Sequence, residues 1–198
     1  MENTVNKRYL FLDTETTGLD PFHNSVIQIG AIIYEDDVDG EPIEIARYSA
    51  SFSAYKDSAI DIEALQVNDT SIGEVRSFDS DPDVRKAIFW NFAEWLRRYV
   101  TKNTLIIGHN IDFDLEFLNA EADRYSLDFS RVLSDRKRID TRQIAIFLDD
   151  AKLIQPVNHR MVTIYNSLFD ARIADNEHNA LSDAIMDADI YFKMREMV

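Results

Sequence analysis

The chain has 198 residues with 36 Asp or Glu against 21 Lys or Arg, a formal net charge of −15 at pH 7, and its 45% apolar residues suffice for the core of one compact domain over residues 1–198. So acidic a surface excludes a protein that clamps duplex DNA over its whole face, because that mode of binding must neutralise many phosphates. The absence of cysteine excludes disulfides, zinc–thiolate sites and thiol nucleophiles, and a polar start (Met1 to Arg8) with no long apolar run predicts a cytoplasmic protein without a membrane span.

The run Tyr9 to Asp13 is short and apolar and breaks at Thr16-Thr17-Gly18, the pattern of a buried strand that delivers its last residues to an exposed end. Val26 to Tyr34 reads as a second strand and Ile43 to Phe52 as a third, separated by a turn signal from Asp36 to Pro42, which together suggest an antiparallel meander. The period then changes. Val84, Ala87, Ile88, Phe92, Trp95, Leu96 and Tyr99 recur at helical spacing behind Pro82. Thr104 to Gly108 is a fourth strand feeding a helix over Phe113 to Tyr125, and Arg138 to Asp140 a fifth feeding a helix over Thr141 to Leu148. Leu181, Ala184, Ile185, Ala188 and Phe192 mark a C-terminal helix. This order predicts an α/β fold, a mixed sheet with helices on its faces, whose ligands gather at strand ends where the topology switches.

Three constellations sit at such ends. Asp13 and Glu15, two apart on an extended chain, point the same way and can offer hard oxygen ligands to one cation. The same spacing recurs at Asp39/Glu41, Asp61/Glu63, Asp114/Glu116 and Asp175/Glu177, where surface or helix-cap roles are the ordinary reading. The pair at Asp13 differs because it ends an apolar strand, where an uncompensated carboxylate is costly. Thr14, Thr16, Thr17 and Gly18 beside it add hydroxyls and a tight turn suited to the close approach of a nucleotide. The second constellation is Gly108-His109-Asn110-Ile111-Asp112-Phe113-Asp114, where either carboxylate could simply offset a helix dipole and spacing does not choose between Asp112 and Asp114. The third, His178-Asn179-Ala180-Leu181-Ser182-Asp183, sets a titratable base near a carboxylate as a hydrolase at neutral pH requires, although an exposed loop histidine is the plainer reading. His23 and His159 read as loop histidines.

In this order and context the three resemble the exonuclease motifs of the DnaQ-like DEDD family. Asp13-Thr14-Glu15-Thr16-Thr17-Gly18 resembles the first, and His109-Asn110-x-x-Phe113-Asp114-x-x-Phe117-Leu118 the second, which selects Asp114. His178-x-Ala180-x-x-Asp183 resembles the third, with the His of the DEDDh branch, and Asp140-Thr141 resembles a recurrent pair of the family. The resemblance implies an RNase H-like fold with a central five-stranded mixed sheet flanked by helices. It also implies two divalent metal ions, with Asp13 bridging both, Glu15 and Asp183 completing one site, Asp114 reaching the other through water, and His178 as general base. An all-oxygen site suits Mg²⁺ or Mn²⁺. Thr14, Thr16, Thr17, His109 and Asn110 would line the terminal nucleotide, with Leu19 and Phe113 against its base.

The implied activity is 3′-to-5′ exonucleolytic hydrolysis of single-stranded or short DNA or RNA ends, with a DNA polymerase or a second copy of the chain as possible partners. A catalytically silent binding module of the same fold and a small-substrate phosphodiesterase such as an oligoribonuclease are the competing readings. The stretch Asp61 to Val75 departs from the family's usual helix, with Asn68-Asp69 where a His-Gly pair is common. No G-x-x-x-x-G-K, G-x-G-x-x-G, H-E-x-x-H or G-x-S-x-G occurs, so nucleotide triphosphatase, Rossmann, zincin and serine-hydrolase readings have no motif support.

Overall fold

The computed structural model describes residues 7–67, 70–77, 82–127, 129, 133, 136–173 and 179–197. Five strands form one sheet: β1 (Arg8–Thr16), β2 (Val26–Asp36), β3 (Pro42–Ser51), β4 (Thr104–Gly108) and β5 (Arg138–Asp140), in the order β3-β2-β1-β4-β5. β1 pairs antiparallel with β2 and parallel with β4, while β2–β3 is antiparallel and β4–β5 parallel. The sheet therefore changes sense at β1, the expected mixed sheet, and ligand sites of open sheets gather beyond strand ends at such switches.

Among the described residues the helices are α1 (Ile62–Val67), α2 (Ile72–Ser77), α3 (Pro82–Tyr99), α4 (Ile111–Tyr125), α5 (Thr141–Asp150), α6 (Met161–Phe169) and α7 (Ala180–Arg195). Sequence periodicity had found α3, α4, α5 and α7 but not α6. The apolar spacing Met161, Ile164, Tyr165, Leu168 is present there, but Val162, Thr163 and Ile164 are β-branched and blur a helical reading. The stretch from Asp61 to Val75, which only loosely resembles the family's usual helix, contains the short helix α1 and the start of α2, and Asn68-Asp69 lies outside the described residues. No described helix is long and apolar enough to cross a membrane.

Strand periodicity decides what each side of β1 meets. Leu10 and Leu12 enter a core with Phe89, Phe92 and Leu96 of α3 and Leu115, Phe117 and Leu118 of α4. Tyr9 and Phe11 face the opposite way, against Ala184, Ala188 and Tyr191 of α7. A third cluster joins Ala145 and Leu148 of α5, Ile164 of α6 and Ile190 and Met194 of α7. Because β1 runs on to Thr16, the same alternation turns Asp13 and Glu15 toward α7 and Thr14 toward α4.

Gly30 permits the closest of these contacts. It pairs with Asp13 across β1 and β2, and a Cβ on it would lie 2.1 Å from the Ala180 carbonyl carbon. The first turn of α7 thus rests directly on β2 beside Asp13. Its N-cap Asn179 accepts from the Ser182 N–H at 3.3 Å, and the Asn179 amide and Ala180 N–H donate to Gln28 Oε1 at 3.3 and 3.4 Å.

Candidate active site

The elements above bring Asp13, Glu15 and Asp183 together: one carboxylate oxygen from each lies within 4.8 Å of the others. Asp13 is half-buried, while Glu15 and Asp183 are buried. Asp114, 3% exposed, adjoins them from the other side of β1, accepting the Thr14 N–H at 2.8 Å and the Thr14 hydroxyl at 2.7 Å. The structure also separates the two carboxylates that spacing left equivalent. Asp112 is 73% exposed and ion-paired with Arg138 at 2.8 Å, whereas Asp114 is buried and held by Thr14.

The electrostatics are those of crowded negative charge. Loss of surrounding water, then the charges of Asp114, Glu15, Asp183 and Asp187, hold the Asp13 carboxyl well above the usual carboxylate range. Burial pushes Asp114 up to about 7 against the opposing hydrogen bonds from Thr14. Asp187, one turn beyond Asp183 and 2% exposed, is also raised by burial to about 7; Thr141 donates a short hydrogen bond to its Oδ1, and its Oδ2 has no hydrogen-bond partner among the described residues. Asp187 did not stand out in the sequence, where it reads as one more acidic residue of a helix. Hard oxygen ligands this close, and this unfavourable to one another when ionised, fit a divalent cation such as Mg²⁺ or Mn²⁺.

Asp140-Thr141 joins the ends of β4 and β5. Asp140 caps α5 by accepting from the Arg142 and Gln143 N–H groups at 2.9 and 3.3 Å, and accepts from the Asn110 N–H at 3.1 Å. Asn110, the residue before α4, adopts the left-handed conformation with φ 71°, which Asn tolerates better than most residues. His109 approaches the Thr141 hydroxyl at 3.4 Å through Nδ1 and the His159 carbonyl at 3.1 Å through Nε2, and burial lowers its pKa.

A cleft of about 730 Å³ opens over the carboxylates. Asp13, Thr14, Glu15, His109, Asn110 and Asp183 line one part of it; Arg142 and the segment from Asn158 to Val162, with Val67 of α1, line the rest. The second group was not found from sequence. His159, read as a loop histidine, does lie in a loop, but that loop borders the cleft and its ring contacts Asp149 at 3.1 Å. His23 is exposed and paired with Asp20 at 2.7 Å.

The remaining residues expected at the site are placed differently from one another. Thr17 is fully buried; its hydroxyl donates to Ala59 O at 2.8 Å and accepts from the Ser25 N–H at 3.0 Å, and its N–H donates to Ser25 O at 2.9 Å. Its carbonyl accepts from the Asp61 N–H at 2.7 Å. With its hydroxyl, N–H and carbonyl all engaged by the protein, Thr17 holds the turn that follows β1. The Thr16 hydroxyl donates to Gly18 O at 2.7 Å, and Gly18 gives room to the Asn24 side chain. Leu19 is 80% exposed, and Phe113 packs against Phe117 with ring centroids 4.8 Å apart. His178 lies outside the described residues.

Comparison with known proteins agrees with this architecture. The family described as "Exonuclease" (RNase T) matches residues 10–191. The PolC-type DNA polymerase III of Listeria welshimeri is 27% identical over 187 residues, 94% of this chain but 11% of that protein. The DNA polymerase III subunit epsilon of Treponema pallidum is 35% identical over 109 residues, 55% of this chain and 43% of that protein. Exonuclease I of E. coli, solved in complex with a dT13 oligonucleotide, superposes with a TM-score of 0.72 at 18% identity, covering 96% of this chain and 40% of its own. The chain thus spans a minor part of each of these relatives, and the shared five-stranded sheet is the RNase H-like fold.

Proposed function

The chain belongs to the exonuclease family that matches its residues 10–191, a family of hydrolytic nucleases, and on that premise we propose that it removes nucleotides from the 3′ ends of single-stranded DNA or RNA. The gathering of Asp13, Glu15 and Asp183 within 4.8 Å, with Asp114 behind Thr14, carries this reading. Three strand or helix ends converge there with the residue types that phosphodiester hydrolysis by two divalent cations uses.

Asp13, Glu15 and Asp183 would hold the cations, with Asp114 assisting from the α4 side. Bound there, Mg²⁺ or Mn²⁺ supplies Lewis-acid stabilisation of the charge that develops on the phosphate and on the leaving 3′-oxygen. Thr14 fixes Asp114 through two hydrogen bonds, so that carboxylate is oriented before substrate arrives. His178, placed by the DEDDh motif five residues before Asp183, takes the proton from the attacking water. The cleft is bordered by Arg142 and Arg160, which suits a flexible single strand, and exonuclease I of the same fold was solved in complex with an oligonucleotide. Relatives named as DNA polymerase III proteins support a polymerase as partner, with proofreading as the setting.

The direct test incubates the protein with 5′-labelled single-stranded DNA and RNA in Mg²⁺, Mn²⁺ or EDTA, beside Asp13→Ala. The expected result is a metal-dependent ladder that shortens from the 3′ end and is absent in the variant. A wild-type protein that shortens neither polymer in either metal would refute the exonuclease and favour the silent binding module. Activity confined to dinucleotides would favour the small-substrate phosphodiesterase.

A further inference from the structure

The cleft is lined by both signs of charge: the carboxylates Asp13, Glu15 and Asp183, and the arginines Arg142 in the first turn of α5 and Arg160 before α6. Arg142 is set in place by its own backbone: its N–H donates to Asp140, the residue that also holds the Asn110 N–H at the end of β4. Its guanidinium makes no hydrogen bond or ion pair with the described residues. An exposed arginine on a helix is ordinarily just a solvated charge, but this one borders the carboxylate cleft, and the remainder of the chain works against it.

With a net charge of −15 the molecule repels a polyanion at long range, so each phosphate must meet its counter-charge locally. The carboxylates and their cations account for the scissile phosphate alone. A cleft of about 730 Å³ exceeds what that single group fills, and the next phosphate along the strand needs a different partner. A guanidinium is permanently charged and presents a planar fork of donors matched to two phosphate oxygens.

Resting on the exonuclease reading above, we propose that Arg142 binds the phosphodiester immediately 5′ to the scissile one. The cleft then recognises two consecutive phosphates at a 3′ end, one through the carboxylates and one through Arg142. This makes Arg142 a determinant of preference for strands over mononucleotide esters.

The test uses the full chain and two single-stranded DNA oligomers in Mg²⁺. One has only ordinary linkages; in the other, the second linkage from the 3′ end is an uncharged methylphosphonate. Release of the 3′-terminal nucleotide is measured for wild type, Arg142→Ala and Arg142→Lys. On the ordinary oligomer Arg142→Ala should lose about tenfold in kcat/KM, chiefly through KM, the scale of one charge-assisted hydrogen-bonded contact. The neutral linkage should cost the wild type a similar factor and the Ala variant little more, and Arg142→Lys should recover part of the loss on the ordinary oligomer. An equal loss on both oligomers would place the guanidinium at the scissile phosphate or in the fold and overturn the assignment. So would an Ala variant as active as wild type on the ordinary oligomer. Wild type that fails to cleave the ordinary oligomer at all would remove the exonuclease reading itself, and this assignment with it.

Discussion

Asp13 is a half-buried carboxylate and Glu121 a fully buried one, and their charged neighbours differ in sign. Glu121 on α4 is fully buried, and its Oε1 accepts from Arg85 at 2.8 Å, from Arg124 at 2.9 Å and from the Val26 N–H at 3.1 Å. Arg85, 1% exposed, also donates to Tyr125, to Val26 O and, in a short bond, to Ser53 O, and its guanidinium lies 4.9 Å from the Phe52 ring centroid. Arg124 continues the network to Asn24 O at 2.9 Å in the loop that follows β1. The Glu121 carboxylate is compensated there by two arginines of the fold itself, both at Oε1, while its Oε2 has no hydrogen-bond partner among the described residues. Around Asp13 the charged groups that raise its pKa are all further carboxylates, Asp114, Glu15, Asp183 and Asp187. A buried charge compensated by the chain is architecture; buried charge that the chain leaves crowded is a place for a cation from solution.

Charge removal should therefore act in opposite directions in the two regions. Asp13→Asn should lower exonuclease activity by about a thousandfold or more, the loss expected when several kcal/mol of transition-state charge stabilisation disappear. The same substitution should raise the melting temperature of the metal-free protein, since it relieves like-charge repulsion. Glu121→Gln should do the reverse to stability, costing about 3–5 kcal/mol by leaving Arg85 buried and unpaired. Urea denaturation of both variants in EDTA decides the matter; a destabilised Asp13→Asn protein would mean that its carboxylate is structural.

Much of this contrast was legible in the sequence, but not evenly. The five strands could be read from apolar runs and turn signals, and Asp13 with Glu15 stood out because an apolar strand that ends in carboxylates is locally anomalous, whereas Asp114 and Asp183 were singled out only through the family resemblance. The buried pair could not be read. Arg85 lies in a helix among Val84, Lys86 and Ala87, and Glu121 between Ala120 and Ala122, settings in which a charged residue normally faces water. Only the packing of α3 and α4 on the sheet turns them inward. The same holds for Arg142 and Arg160 at the cleft and for Asp187, whose positions depend on α5, α6 and α7 meeting in space. Gly30 gave no signal either, since its need for a missing side chain arises from α7, 150 residues further along the chain.

Proton linkage sharpens the contrast further. The raised folded-state pKa of Asp114, about 7, and of Asp13 means that the native protein binds more protons than the unfolded chain at pH values above the ordinary aspartate range. Stability of the metal-free protein should therefore fall as pH rises from about 4 through about 7. Divalent metal should oppose this fall, and its stabilising effect should grow with pH, reaching about 2.7 kcal/mol when the free metal stands at a hundred times its Kd. Thermal melts at pH 5 and pH 8, each with Mg²⁺ and with EDTA, test this. A metal-induced shift as large at pH 5 as at pH 8 would contradict the assignment of these carboxylates as ligands.

The smallest expected change in stability probes how the two regions are joined to the frame. Gly30 belongs to β2, which also carries Val26, the backbone partner of both Glu121 and Arg85. Gly30→Ala would place a methyl 2.1 Å from the Ala180 carbonyl carbon, and a contact so short must be relieved by lifting the start of α7. Overpacking of this kind costs about 1–3 kcal/mol. Its effect on activity should nevertheless be large, because α7 carries Asp183 and a displacement of about 1 Å at a reacting centre can cost about a hundredfold. The Arg85–Glu121 network, anchored at Val26 rather than at Gly30, should be untouched. A variant that loses activity and apparent metal affinity while keeping most of its stability would show that the carboxylate cluster depends on the seating of one helix turn, and that the balanced charges elsewhere do not.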